Sequence, residues 1–202
     1  MKNIDTSFLR VSTLKSAVRA GDLLVAEPFL NETWFNRGVI SIIDHSDDEG
    51  TTGVVLNAPI TIPLQEVLDG ITREDPVTVY CGGPLSHDRI YFVHTLGPEI
   101  IPNARQYASG LWIGGDFEAA TDYINEGYPT DGLIRFFIGY SGWTPGQLSD
   151  EINEGTWAVL SQTDKMLPLL SGKGDRYWHR AVKALGQHYR PWQIIPQDLS
   201  AN

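Results

Sequence analysis

The chain has 202 residues, 42% hydrophobic and 20% charged, a balance that fits one globular domain with an ample core. Its net charge of −10, from 15 basic and 25 acidic residues, sets up a mean field that repels polyanions, so nucleic acid is not an expected partner. The single cysteine, Cys81, excludes an internal disulfide framework and a thiolate zinc cluster.

Residues 6–19 read as an amphipathic helix or arm, with Phe8, Leu9, Val11, Leu14 and Val18 at helical spacings. Arg10, Lys15, Arg19 and Asp22 interrupt every apolar run there, so no signal peptide is expected. Nothing downstream approaches a membrane span, and the default location is the cytoplasm. Strands are predicted at 23–27, 39–43 and 53–56. The acidic stretch DHSDDEG (44–50) reads as a hairpin connection, because the ligand spacing of an EF-hand is absent. PLQEVLDG (63–70) is a short helix between its Pro and its Gly. Strands at 77–80 and 90–95 flank the turn CGGPLSHDR, and a further strand covers 111–113. Asp116 caps a helix that presents Phe117, Ala120 and Ile124 on one face and stops at Gly127. The apolar run 133–140 predicts a strand covered on both sides. A helix over 144–153 starts with the Thr144/Gln147 capping box and Pro145, and buries Leu148 and Ile152. A strand at 156–160 follows. A last helix over 175–187 carries Trp178, Ala181, Val182 and Leu185 inward. This order predicts an α+β fold with a mostly antiparallel, curled sheet. Residues 1–20 form the arm, 21–190 one domain and 191–202 a tail.

GYSGWTPGQLSDEI (139–152) is the stretch that most resembles machinery. As a nucleophile elbow around Ser141 it fails at Trp143, where G-x-S-x-G requires glycine. No Walker or dinucleotide pattern occurs, and SGKGD (171–175) only imitates one. The structural alternative uses more of the residues. Gly139 and Gly142 permit close approach or positive φ, Trp143 seals a corner, and Thr144, Pro145 and Gln147 start the helix.

A second candidate is the Gly82–Gly83–Pro84 turn. Its backbone N–H groups are suited to an anion, with His87, Asp88 and Arg89 in reach and Asn57 near if the loops converge. The alternative is a plain glycine turn. Cys81 lacks a visible base and reads as a small buried hydrophobe. The histidines at 45, 87, 94, 179 and 188 show no compact ligand spacing, so no metal and no cofactor are expected. Lys173, Arg176, Arg180, Lys183 and Arg190 make the C-terminal quarter locally basic, either a solvated face or a docking surface.

The chain resembles the YqgE/AlgH family of bacterial proteins over about residues 20–187. The resemblance rests on GDLLVAEPFL, Phe35 and Arg37, GVVLNAP (53–59), GGPLSHDR (82–89), GYSGWTPGQLSDEI, GTW (155–157) and WHRAVKALG (178–186), in that order. It implies a bifurcated sheet curled into a pseudo-barrel with helices around it. It also implies a transcriptional-regulator label, without a catalytic residue set. The usual Asn-Arg-Pro of the family is here Asn57-Ala58-Pro59, which removes a cation. The expected function is a non-enzymatic cytoplasmic domain that binds a protein partner or small ligand. Its expected contact surface comprises Asn57, Gly82, Gly83, Pro84, Arg89, Gly142, Trp143 and Gln147. The alternatives are a transcriptional regulator, for which no helix-turn-helix is visible, and a hydrolase using Ser141 or Cys81.

Overall fold

In the computed structural model residues 18–161 and 168–196 are described; the arm expected over 6–19 falls outside them but for its last two positions. The sheet begins with β1 (Leu23–Ala26), β2 (Val39–Ser46) and β3 (Gly50–Val55), joined antiparallel. The predicted hairpin at 44–50 is present, with both strands reaching further into it than hydrophobicity suggests and Ser46 opposite Gly50. In β1, Leu23 and Val25 enter one core while Leu24 and Ala26 enter another, so a strand of alternating faces is buried on both.

β4 (Pro59–Pro63) leads into the one-turn helix α1 (Leu64–Val67), shorter than the 63–70 expected, and pairs with β5 (Thr78–Cys81). β6 (Leu85–His94), β7 (Arg105–Ala108) and β8 (Leu111–Ile113) complete the far wing. α2 (Phe117–Asn125) starts where Asp116 accepts the amide N–H groups of Glu118 and Ala119, as the sequence predicts. It packs Ala120 and Ile124 against Phe92 and Phe136.

β9 (Ile134–Trp143) is the spine. Its first half lies between β5, parallel to it, and β6, antiparallel. Its last three residues leave β5 and pair with β3, Ser141 opposite Gly53 and Trp143 opposite Thr51. The sheet is therefore bifurcated: one long strand serves two wings. β10 (Trp157–Leu160) closes onto β1, and the order β10-β1-β2-β3-β9-β6-β8-β7 is mostly antiparallel. The ends curl toward one another without joining as a ladder. Tyr107 of β7 hydrogen-bonds Ser41 of β2 at 3.3 Å, and Arg105 lies 3.5 Å from Asp44.

α3 (Gln147–Glu154) covers Leu24, Ile40, Ile42, Trp143 and Trp157 with Leu148. α4 (Gly174–Leu185) inserts Tyr177, Trp178, Ala181 and Val182 into the curl, and Trp178 Nε1 donates to the Ala26 carbonyl at 2.8 Å. Where a tail was expected from residue 191, the chain turns through residues 187–189 into α5 (Arg190–Gln193) and buries Trp192 in the same core. The large ring keeps this end on the fold.

Two expectations about GYSGWTPGQ are corrected. The corner is not at 139–143, because β9 runs on to Trp143; the turn follows at residues 144–146. Helix α3 starts at Gln147, since Gly146 has φ 83° and cannot be its first turn. The Thr144/Gln147 contact nevertheless forms, with Gln147 Oε1 accepting from the Thr144 amide at 3.1 Å. Trp143 does seal: burying an indole of about 200 Å² contributes on the order of 5 kcal/mol.

Candidate functional site

The fork where β9 changes partner is built around Gly82, Gly83 and Gly139. Gly139 has φ 74°, with the Gly83 carbonyl 2.7 Å from where its Cβ would stand. A Cβ on Gly82 would collide with the Gly139 carbonyl, and one on Gly83 with Tyr140 and the Ser141 hydroxyl. Glycine is thus required by backbone approach. The Gly82 N–H donates to Ile138, and its carbonyl accepts from Val55 N–H and from Ser141 Oγ at 3.0 Å. Both glycines are buried, so the N–H of Gly82 is spent on the sheet and does not face an anion.

Ser141 is 0% exposed, its hydroxyl bonded to a carbonyl with no imidazole on it. Cys81 Sγ points at the Gly83 carbonyl at 3.7 Å, and burial pushes its thiol pKa up, away from the thiolate. His87 Nε2 lies 2.8 Å from that same carbonyl.

Trp143 is buried on the opposite face of β9 from exposed Gly142, and its Nε1 donates to Glu151 Oε2 at 2.8 Å. Trp157 Nε1 donates to the same oxygen at 2.7 Å, while Gln147 Nε2 holds Oε1 at 2.9 Å. One carboxylate thereby bolts α3 to β9 and β10.

Asn57 lies elsewhere, in the wall of a cleft of about 130 Å³. It is lined by residues of the Thr33–Gly38 loop, by Val55 and Ala58, and by Gly174 and Asp175 at the start of α4. The Asn57 amide is a staple: Oδ1 accepts from Val39 N–H at 2.8 Å, and Nδ2 donates to the carbonyls of Arg37 at 2.9 Å and Gly174 at 3.1 Å. Arg37, with φ 49° and 3% exposure, stacks over Trp178 at 4.6 Å. Its Nη1 donates to Asp175 Oδ1 at 2.8 Å, and its Nη2 to the Ile195 carbonyl. His179 Nε2 stands 3.3 Å from that Nη1 and 3.1 Å from Asp175 Oδ2. Without a hydrogen this nitrogen accepts from the guanidinium; with one, it donates to the carboxylate. Ala58 stands in the cleft where the family pattern leads one to expect a cation.

The structure joins part of the expected surface through a residue that sequence reasoning passed over. Trp34 lines the cleft, is 44% exposed, and sets its ring 5.1 Å from that of His87. It bridges Asn57 to the Pro84–Arg89 segment, all six residues of which are exposed. Leu85, 42% exposed, reaches Gly142. Trp143, on the far face, is not part of this surface, and Gln147 is exposed on α3 beside it. The signal for Trp34 was available: a tryptophan among polar residues in NETWFNRG, between two strands.

A family model described as AlgH-like, a domain family of unknown function, matches residues 23–190. The chain belongs to the AlgH-like family. A relative from Parabacteroides distasonis called "UPF0301 protein" is 40% identical over 90% of both chains. Another of that name from Bacteroides thetaiotaomicron is 34% identical over 99% of this chain and 100% of its own. These AlgH-like relatives carry the name of an uncharacterised family and no enzymatic name. Two solved structures share the fold. A crystal structure from Corynebacterium diphtheriae has a TM-score of 0.72 at 24% identity, covering 96% of this chain and 100% of its own. The solution structure of the AlgH protein from Pseudomonas aeruginosa has a TM-score of 0.65 at 22% identity, covering 91% and 98%. Among the described residues, no helix is long and apolar enough to cross a membrane.

Proposed function

We propose that this AlgH-like chain is a non-enzymatic, cytoplasmic protein-binding domain whose contact surface is the ridge of Trp34 and Leu85 beside the Asn57 cleft. The observation that carries this reading is the exposure of these two side chains, 44% and 42%, next to a preformed notch. Exposed tryptophan is a frequent anchor of protein contacts, and a half-open notch gives it a rim. The cleft volume of about 130 Å³ is below the roughly 300–1,000 Å³ of small-molecule sites. It suits a single inserted side chain. The hydrolase alternative draws no support from Ser141, which is buried and bonded, or from Cys81, whose thiol is held protonated.

The test is site-specific photocrosslinking in the native cell. A photoreactive phenylalanine analogue at position 34 gives discrete adducts that excess wild-type chain suppresses and excess Trp34→Ala/Leu85→Ala chain does not. The same analogue at Tyr128, which is also exposed, gives none of these adducts. Identical adduct patterns from the two positions would sink the reading.

A further inference from the structure

The solvent side of α4 carries a charge opposite to the rest of the molecule. Between Lys173 and Arg190 stand five cations and one acid, in a chain with 15 cations and 25 acids. Arg176, Arg180 and Lys183 recur at three- and four-residue spacing within α4, which is one helical face, while Lys173 stands at its N-cap and Arg190 begins α5. Tyr177, Trp178, Ala181 and Val182 are buried on the other side. Lys173, Arg176, Lys183 and Arg190 are exposed, and among the described residues none has a carboxylate within ion-pair distance. Asp175 does not neutralise this face, because it is turned to Arg37 and His179. Arg180 lies 4.6 Å over Tyr177 and donates to the Ser171 carbonyl at 2.5 Å.

The complementary surface is on the same chain. The β2–β3 hairpin carries Asp44, Asp47, Asp48 and Glu49, all exposed, with no Lys or Arg between 44 and 50. Asp44 is paired with Arg105 at 3.5 Å, and Asp47 lies 3.8 Å from His45. Asp48 and Glu49 have no cation within that range among the described residues. Arg176 and Lys183 are seven residues apart, about 10 Å along the axis, and the acidic tip they would face, Asp47–Glu49, projects from the paired Ser46 and Gly50.

We propose that the basic face of α4 docks on the acidic β2–β3 hairpin of a second copy of this chain. Net repulsion between two copies of charge −10 is confined by a Debye length of about 8 Å at physiological salt, while contacting charges act inside it. A nucleic-acid duplex extends its charge well past α4 and meets the acidic remainder of the surface. The contact joins two different surfaces, so it propagates head to tail, into a ring if the rotation closes and a filament if it does not.

Sedimentation velocity with two charge-reversed variants tests this. The wild type associates at a few hundred micromolar in about 50 mM salt and returns to monomer in about 500 mM salt. Arg176→Glu/Lys183→Glu alone stays monomeric, as does Asp47→Lys/Asp48→Lys alone. Their equimolar mixture associates again, since each reversed face now meets a reversed partner. Far-UV circular dichroism and melting temperature check that these surface variants are folded. A monomeric wild type in low salt, a variant that associates like wild type, or a mixture that stays monomeric overturns the proposal. So does a duplex oligonucleotide or a short polyglutamate peptide that binds α4 while the chain alone remains monomeric.

Discussion

The fork at Gly82, Gly83 and Gly139 and the loop at Thr33–Gly38 are both close to His87, yet they are built on opposite terms. At the fork the N–H and carbonyl of Gly82 and the Ser141 hydroxyl are all spent on neighbouring strands, and there is no room for a Cβ. In the loop, a large ring is left in solvent beside a notch, and a buried arginine holds the wall behind it. The fork is where the sequence is richest in motif, and its chemistry is consumed in joining two wings of a sheet. The loop is poor in motif, and it is the one that offers surface. A glycine-dense signature therefore marks close approach here, and function is better sought where an aromatic residue is left uncovered.

Substitutions can break this contrast. The largest effect is expected at the fork. Gly82→Ala must displace the Gly139 carbonyl and with it two strand pairings, so the variant loses about 4 kcal/mol or more and its cooperative denaturant transition. A cooperative transition at wild-type denaturant concentration would mean that the fork is pliable. Next comes the bolt on the far face. Glu151→Ala leaves two indole N–H groups without their acceptor, which costs about 3 kcal/mol, while Glu151→Gln, which keeps an oxygen, recovers most of it. Chemical denaturation of the pair decides this.

A smaller effect is expected from His94, buried in the far wing with Nε2 toward the Gly114 carbonyl and, among the described residues, no partner for Nδ1. Burial pushes its pKa below the ordinary histidine value. The unfolded chain therefore binds a proton that the folded chain refuses, and stability falls as pH drops below about 6.5. Thermal melts from pH 7.5 to 5.5 should show a steeper loss for wild type than for His94→Gln; parallel curves would remove histidine from the account. The smallest effect on stability is expected from Trp34→Ala, within about 0.5 kcal/mol because the ring joins none of the buried hydrophobic clusters. If Trp34→Ala instead melted like the fork variants, the loop would be structural too and the contrast would disappear.

Much of the fold was legible in local chemistry. The Asp116 cap, the acidic hairpin and the doubly covered run at 133–140 all announce themselves through spacing or turn residues. The reach of β9 to Trp143 was not legible, because Ser141, Gly142 and Trp143 read as a turn until β3 is placed beside them. The α3 start was misplaced for a related reason: the Thr144/Gln147 pair is compatible with a helix from 144 or with a turn ahead of one, and the left-handed Gly146 selects the turn. At the site, Asn57 was picked out as a polar loop residue, but its partners come from residues 18 to 117 positions away. No window on the sequence contains them. The same holds for Arg37, Asp175 and His179, which meet only because α4 docks against the end of β2.

The pairing of β1 with β10 sets a condition on how this molecule is made. Leu23 lies opposite Leu160, and β9, which holds both wings, is itself formed by residues 134–143. A nascent chain leaving the ribosome has neither its central strand nor the closing one until most of its length is synthesised. Long-range antiparallel ladders of this kind assemble slowly, because the loop must be closed before any contact rewards it. The open edges of β1, β3, β5 and β6 therefore wait in solution while synthesis proceeds. That interval, more than the finished structure, is when this chain is open to aggregation and to chaperones.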